Sequence, residues 1–320
     1  MAEASEARPQ GAAATGADRL ALGASGRKPR SLWTDALKQF RKHTLAVGGV
    51  VVLVLLSVMT MIGPMVWSQP IDKIDFAVST QGPSLDHPMG TDDLGRDIFA
   101  RILWGGRISL AVGVAAMLVA IFLGTMIGAL AGFFGGFADS VLMRFTDMFL
   151  SLPTLPLLLL SIYLFRDSLR DKFGQTLGPF LLIVALIGIT NWMTVSRLVR
   201  ASFLSVKEKE FVEAAYCIGA SRSAIMFKHI MPNVLGPVIV AATLAVGSAI
   251  ITESTLSFLG LGFPPDVPTW GQLLQTAVNF MEIAPHMVLF PAAMIFLAVL
   301  SINYVGDGLR DALDPRKTTG

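Results

Sequence analysis

The chain has 320 residues, of which 53% are hydrophobic and only 15% are charged, and its mean hydropathy is +0.63. Soluble domains carry about a quarter charged residues, so this composition predicts a protein that places apolar surface against lipid. The formal net charge of +2 is too small to indicate a nucleic-acid partner. A single cysteine, Cys217, excludes an intrachain disulfide.

Residues 1–44 precede the first apolar run and are expected to form a cytoplasmic N-terminal tail. Up to about residue 26 the tail is rich in Ala, Gly, Ser and Glu, a composition that is typical of disorder. A basic segment follows at residues 27–42. A signal peptide is not expected, because the apolar run is too long for one and no small-residue cleavage site follows it.

Long uncharged stretches predict the membrane spans, because a helix of about 18 or more apolar residues can cross the bilayer with its backbone paired internally. Six such stretches are present, at residues 45–66, 108–134, 148–165, 175–196, 234–252 and 287–305. None alternates as a strand would. We therefore expect an all-α fold with six transmembrane helices: a first helix, an outer segment at 67–107, a core of five helices at 108–305 and a C-terminal tail at 306–320.

The distribution of Lys and Arg predicts the orientation of these spans. If the N-terminus is cytoplasmic, the inner segments carry 18 of the 25 basic residues, and the outer loop at 253–286 carries none. Cytoplasmic loops are enriched in basic residues, so both termini are expected inside. The outer segment 67–107 weakens the asymmetry, since it holds four basic residues, but long loops count less in this rule.

Several residues near the spans predict local structure. Gly124, Gly128 and Gly132 recur at four-residue spacing, which favours close helix packing. Pro153 and Pro156 predict a kink or unwinding at the start of the third span.

The outer segment 67–107 is expected to contain a capped helix. The Thr-Asp-Asp run at 91–93 predicts an N-cap for a helix that begins near Leu94. Asp97 and Arg101, four residues apart, predict an ion pair.

Catalytic and ion-coupling motifs are missing from the sequence. The span interiors carry essentially no ionisable side chain, and there is no phosphate-binding loop, HExxH or GxSxG motif and no histidine pair at metal-ligand spacing. We therefore expect no catalytic residue, cofactor or metal, and any uphill transport needs energy from another subunit. Glu253, at the outer end of the fifth span, is a candidate for an outer gate; the alternative is an interfacial charge.

The cytoplasmic loop at 199–229 is the most informative segment. Its first part has apolar residues at helical spacing up to Ile218, after which Gly219 provides a C-terminal cap. Ser221 can cap a second helix, which is expected to end before Pro232. The pattern predicts a helix–Gly–helix knob that faces a soluble partner; the alternative is an amphipathic loop that lies on lipid headgroups.

Residues in this loop resemble a known family. Glu213, Ala214 and Ala215, followed by Gly219 and then Pro232, are similar to the EAA motif of the permease subunits of binding-protein-dependent ABC importers. Three further stretches, GTDDLGRDIFARILWGGRISL at 90–110, ESTLSFLGLG at 253–262 and GDGLRDALDP at 306–315, resemble the C-type subunit of oligopeptide and dipeptide permeases, in the peptide/opine/nickel branch. The similarity runs from about Ser31 to Arg316.

The resemblance implies a type I ABC importer permease fold in the cytoplasmic (inner) membrane, with half of a pathway for oligopeptides or dipeptides. Its implied partners are a second homologous permease in a heterodimer, one or two cytoplasmic ATPase subunits that bind ATP and Mg, and an extracytoplasmic substrate-binding protein. The implied coupling residues are Glu213, Ala214, Ala215, Gly219, Ser221 and Arg222, with a docking surface from about Cys217 to Phe227. Nickel, opines or oligosaccharides are alternative cargoes, and a membrane enzyme is disfavoured.

Overall fold

The computed structural model describes residues 32–313, and the regular elements of that part of the chain are helices. Within it, the β-type pairing is limited to one isolated antiparallel bridge between Thr91 and Asp97. The all-α prediction is therefore confirmed for the described residues. The expected disorder up to about residue 26 and the end of the C-terminal tail, with Pro315, lie outside them.

Ten α-helices account for most of residues 32–313. They are α1 Leu32–Lys42, α2 Thr44–Val66, α3 Ile98–Phe134, α4 Gly136–Leu150, α5 Thr154–Lys207, α6 Glu210–Cys217, α7 Arg222–Ala224, α8 Met231–Phe258, α9 Trp270–Ala277 and α10 His286–Leu313. A π-helical segment, Ile225–Ile230, joins α7 to α8, and two 3-10 turns, Phe76–Val78 and Val278–Phe280, lie in the loops. Five segments are long and apolar enough to cross a membrane: α2, α3, α5, α7 through α8, and α10.

Helix α5 contains both the third and the fourth of the expected spans, joined through a break. At Gly174 the backbone leaves the helical region, with φ 85° and ψ 174°. A straight helix of its 54 residues would be about 80 Å long, far more than the bilayer core of about 30 Å. One straight span of this length is excluded, because the backbone at Gly174 takes a conformation that L residues disfavour and interrupts the helix.

Contacts across this break show that the chain reverses direction there. They are, in order along the chain, Asp139 with Arg200, Phe149 with Trp192, and Leu169 with Gly178. As the first residue number rises, the second falls, so α4 and the first part of α5 run antiparallel to the second part of α5. Leu158 and Ile162 accordingly pack in one buried cluster with Leu182.

The helices define two ends of the molecule. At one end, which we call the hairpin end, Phe133 near the end of α3 packs with Val212 of α6, and Gly236 at the start of α8 lies beside Leu313 at the end of α10. Residues 67–97 and 259–285 lie at the other end, called here the far end, where Trp67 reaches Asp97 at the start of α3.

The spaced glycines of α3 pack directly against α5, as predicted. A Cβ atom added at Gly124 would lie 2.5 Å from Cβ of Val195, and one added at Gly128 would lie 2.4 Å from the carbonyl oxygen of Ser196. Real Cβ contacts are not this short, so the two helices approach as closely as they do only because both positions lack a side chain.

Several predicted boundaries differ from those observed. Residues 135–147 separate the second and third predicted spans, and nearly all of them belong to helix α4, which is joined to α5 by ion pairs from Asp139 to Arg200 and from Asp147 to Arg197. The predicted unwinding at the start of the third span is confirmed, since the helix is interrupted at residues 151–153 between α4 and α5, and Pro153 is the N-terminal cap residue of α5. Helices α3, α8 and α10 are longer than the uncharged stretches that predicted them, since polar side chains at their ends find partners within the protein.

Candidate functional site

The candidate site is the hairpin at residues 208–230. It connects the end of α5 to the start of α8 and lies at the hairpin end of the molecule. Its first arm is α6, which is separated from α5 by a break at Glu208 and Lys209, whereas the sequence predicted one helix up to Ile218. Glu210 and Glu213 lie in the first turn of α6, where acidic side chains complement the helix dipole.

Gly219 ends α6 as predicted, with φ +78°. Its N–H donates to the carbonyl of Tyr216 at 3.0 Å, and the N–H of Ala220 donates to the carbonyl of Ala215 at 3.0 Å. These two bonds form a Schellman cap, which requires a left-handed residue at the glycine position. The geometry therefore explains why glycine stands between the two arms.

The second arm begins at Ser221, whose Oγ accepts a hydrogen bond from the N–H of Ala224 at 3.3 Å, as a cap was predicted to do. The prediction that this helix ends before Pro232 is wrong. The chain passes through the π-helical segment, in which the N–H of Met231 donates to the carbonyl of Met226, and continues as α8. This wider turn accommodates Pro232, which has no N–H to donate.

One face of the hairpin is buried against the membrane helices. Val212 and Ala215 of α6 and Ile225 of the second arm lie in a single apolar cluster with the ends of α3, α5 and α8. Their partners there include Phe133, Val199, Phe203, Val234 and Val238. Lys207 adds a polar tie, since its Nζ donates to the carbonyl of Phe133 at 2.7 Å, at the C-terminal end of α3. A force on the hairpin would thus act on three long helices.

The opposite face of the hairpin is exposed. It carries five of the six predicted coupling residues together with several apolar side chains: Glu213, Ala214, Tyr216, Cys217, Ile218, Gly219, Ser221, Arg222 and Phe227. Ile218 is 82% exposed and Phe227 58%. Exposed large apolar side chains grouped with polar ones are typical of a protein-binding surface.

The sixth residue, Ala215, faces inward, and so does Ile225 from the predicted docking segment. Both are buried in the apolar cluster. The spacing of the motif alone did not distinguish the residues that pack the hairpin against the membrane helices from those that it exposes.

The far end holds a network of charged side chains around the start of α3. Helix α3 begins at Ile98 and not near Leu94, because Asp97 is its cap: Oδ1 accepts from the N–H of Ala100 at 2.6 Å. The predicted Asp97–Arg101 ion pair is absent from the described residues, since Asp97 instead contacts His87 Nδ1 at 2.7 Å and Trp67 Nε1 at 3.3 Å.

Arg101 joins separate segments of the far end. Its guanidinium donates to the carbonyls of Ile71 and Pro265 at 3.3 and 3.1 Å, and it lies 3.9 Å from the Asp92 carboxylate. Asp92 pairs more closely with Arg96, at 2.7 Å. These contacts pin the loops 67–97 and 259–269 to α3.

Asp93 lies beside this network but does not take part in its ion pairs. Its Oδ1 is buried and has no hydrogen-bond partner among the described residues. Burial, and then the neighbouring charge of Asp92, raise the pKa of the Asp93 carboxyl above its ordinary value.

Glu253 is fully buried and is not an interfacial charge, contrary to the alternative favoured by its position in the sequence. Its Oε1 accepts from Ser257 Oγ at 2.8 Å, and its Oε2 accepts from Ser109 Oγ at 3.2 Å and Ser254 Oγ at 3.5 Å. Ser109 also accepts from the N–H of Trp270. The carboxylate therefore joins α8, α3 and α9.

Sequence reasoning missed this use of ionisable groups inside long helices. Arg101 and Glu253 lie within α3 and α8, beyond the uncharged stretches, where serines and carbonyls pair with them. The serines of the stretch at 253–262 were a signal, because Glu253 and Ser257 stand four apart and face the same side of a helix.

Comparisons with known proteins agree with this geometry. Residues 124–319 match the family model described as the inner membrane component of binding-protein-dependent transport systems. Residues 31–83 match the N-terminal transmembrane domain of oligopeptide transport permease C. An Escherichia coli K12 relative named as an oligopeptide transport system permease protein is 44% identical over 90% of this chain and 92% of its own length.

Two further relatives cover the chain to a similar extent. An oligopeptide transport system permease protein of Bacillus subtilis is 38% identical over 91% of this chain and 92% of its own length. A dipeptide transport system permease protein of Alkalihalophilus pseudofirmus is 39% identical over 89% of this chain and 90% of its own length.

The match over residues 124–319 places this chain in the class of transport permease subunits, and its long apolar helices agree with that class. The chain belongs to the family of inner membrane components of binding-protein-dependent transport systems. It is accordingly a multi-pass protein of the inner membrane and a permease of an ABC transporter.

Proposed function

We propose that this protein forms half of the translocation pathway of an ABC importer for peptides, either oligopeptides or dipeptides. The observation that carries the proposal is the hairpin at 208–230, which has one face buried against three membrane helices and the other exposed. Such a hairpin suits the transfer of force from a soluble motor to the pathway. The names of the relatives, as oligopeptide and dipeptide permeases, support a peptide cargo.

The exposed face of the hairpin is the proposed dock for the ATPase. Ala214 and Gly219 allow a partner to approach closely, and Ile218 can enter an apolar groove. Glu213 and Arg222 offer opposite charges for orientation, with Ser221 capping the second arm. Ala215 contributes from the buried face of the hairpin, because its methyl group packs α6 into the apolar cluster. When the ATPase dimer closes on ATP, the hairpin would move with it and the attached helices would rock as rigid bodies.

We infer six membrane crossings with both termini cytoplasmic. The reversal at Gly174 divides α5 into two crossings, the first of which continues from α4. With α2, α3, α8 and α10 this makes six, and the start of α2 and the end of α10 then lie at the hairpin end. The asymmetry of basic residues supports the same orientation.

The proposed partners are a second homologous permease that completes a heterodimer, one or two cytoplasmic ATPase subunits and an extracytoplasmic substrate-binding protein. ATP and Mg would be bound by the ATPases. The far end would receive the binding protein, since its loops are fastened to α3 through Arg101. Glu253 is proposed as a positioning residue of the outer gate, because it joins three helices at that end.

Other cargoes remain alternatives for the same permease role, namely nickel, opines or oligosaccharides. The proposal is tested by reconstituting the complete importer in proteoliposomes and measuring ATP-dependent uptake of labelled dipeptides, pentapeptides and Ni²⁺ in the presence of its binding protein. Uptake of a peptide is expected. Uptake of nickel alone, or uptake that needs no ATP, would overturn the assignment.

A further inference from the structure

Helix α1 presents a row of basic side chains to solvent. Lys38, Arg41 and Lys42 are spaced by three and four residues and so share one face of the helix. All three are exposed, and no ion pair joins them to a carboxylate among the side chains that the structure describes. These cations are therefore available to an external anion.

The other face of α1 is seated on α10. Ala36 is buried and Phe40 is half-buried. A Cβ atom added at Gly308 of α10 would lie 3.0 Å from the Phe40 ring and 2.3 Å from Cβ of Ala46. This packing fixes which face of α1 points away from the protein.

The position of α1 is tied to a membrane span. His43 alone separates it from α2, which is long and apolar enough to cross a membrane, and Nδ1 of His43 accepts from the N–H of Ala46 at 3.2 Å to cap that helix. A one-residue connection keeps α1 at the membrane boundary. Leu37 and Leu45 are 54% and 55% exposed beside the cations, and apolar side chains flanked by Lys and Arg are typical of helices that lie in the interface.

We propose that the Lys38, Arg41 and Lys42 face of α1 is a binding surface for the phosphate groups of anionic lipids. Leu37 enters the acyl boundary while the three cations reach the headgroups, which attract basic side chains next to a span. The proposal rests on the proposed function in one respect, since α1 meets lipid only if α2 crosses the membrane.

The test places a fluorescent label on α1 in the complete importer. Leu37→Cys, in a Cys217→Ser background, is labelled with bimane and reconstituted in phosphatidylcholine vesicles that contain brominated phosphatidylcholine or brominated phosphatidylglycerol. We expect stronger quenching by the brominated anionic lipid, and loss of that preference in K38Q/R41Q/K42Q and in about 1 M NaCl, which screens charges beyond about 3 Å. A matched control, K73Q/R170Q/K172Q at other exposed or half-exposed positions, should keep the preference.

Equal quenching by both lipids, or a preference that survives the triple substitution, would overturn the proposal. Absence of quenching by either lipid would also overturn it, because α1 would then be covered by protein. ATP-dependent uptake by the importer that keeps native Leu37 and Cys217, reconstituted in vesicles of the same composition, tests the transport function separately. Normal uptake without an anionic-lipid preference would leave the importer assignment standing and reject the lipid surface.

Discussion

At the scale of single residues, Gly219 and Asp93 show how local geometry constrains function. Gly219 takes a conformation that L residues disfavour, at the point where the two arms of the hairpin meet. Oδ1 of Asp93 is buried next to a second carboxylate and has no hydrogen-bond partner among residues 32–313. The conformation of Gly219 sets the shape of the exposed face of the hairpin. The buried carboxyl of Asp93 lowers the stability of the fold at neutral pH.

Replacing Gly219 should impair coupling in an order set by left-handed propensity. Gly219→Asn is expected to retain most transport because Asn tolerates this region, whereas Gly219→Ala adds about 1 kcal/mol of strain and Gly219→Val more. The measurement is peptide uptake per ATP hydrolysed in proteoliposomes. Equal coupling in the Ala, Val and Asn variants would show that the left-handed turn is irrelevant.

Asp93→Asn should stabilise the protein in a pH-dependent way. A carboxyl whose pKa is raised in the folded state lowers the free energy of unfolding when it ionises. This loss of stability is absent below the unfolded pKa near 3.8. It grows as the pH rises through the folded pKa. The gain in Tm on Asp93→Asn, followed by thermal unfolding in detergent, should be largest at neutral pH and shrink as the pH is lowered. A gain that is constant with pH would exclude this cause.

At the scale of helices, the sequence predicted the features that depend on local composition and missed those that depend on contacts between distant residues. The glycine repeat predicted a close helix contact but not its partner helix, and the uncharged runs predicted the long apolar helices, because both predictions depend on local composition. The partners of Asp97 and Arg101, and the link from Glu253 to Ser109, lie far away in the sequence, so they were not predicted. The inward turn of Ala215 likewise depends on packing that spacing alone does not reveal.

Gly128→Val should separate α3 from α5. The added Cβ would lie 2.4 Å from a backbone oxygen, and overpacking of this kind typically costs 1–3 kcal/mol or more. We expect a lower Tm and poor recovery of the assembled importer. The matched control is Gly48→Val in α2, where an added Cβ meets nothing within 4 Å. Comparable losses in both variants would contradict the packing role of the glycine repeat.

At the scale of the whole molecule, the hairpin, the start of α2 and the end of α10 share one end, and the Arg101 and Glu253 networks lie at the other. This separation suits a transporter that is coupled to an ATPase at the hairpin end and receives its cargo from a binding protein at the far end. The buried apolar cluster that contains Val212, Ala215 and Ile225 connects the hairpin to the helices that would form the pathway.

Labelling of cysteines from outside the cell tests the six-crossing topology. In a Cys217→Ser background, Lys172→Cys near the Gly174 turn should react with an impermeant maleimide in intact cells. Native Cys217, which is exposed on the hairpin, should react only after permeabilisation. Protection of Lys172→Cys in intact cells would mean that the chain does not cross the membrane on both sides of Gly174.

The central claim is that the exposed face of the hairpin couples this permease to an ATPase, and the most direct measurement is the ratio of peptide uptake to ATP hydrolysis for Glu213→Arg. This carboxylate is exposed and has no partner among residues 32–313, so the substitution should leave folding and membrane insertion intact. We predict that the ratio falls roughly tenfold or more for Glu213→Arg and stays normal for Asp167→Arg, a charge reversal near the Gly174 turn. A normal ratio for Glu213→Arg, in an importer that still contains its ATPases, would contradict the account.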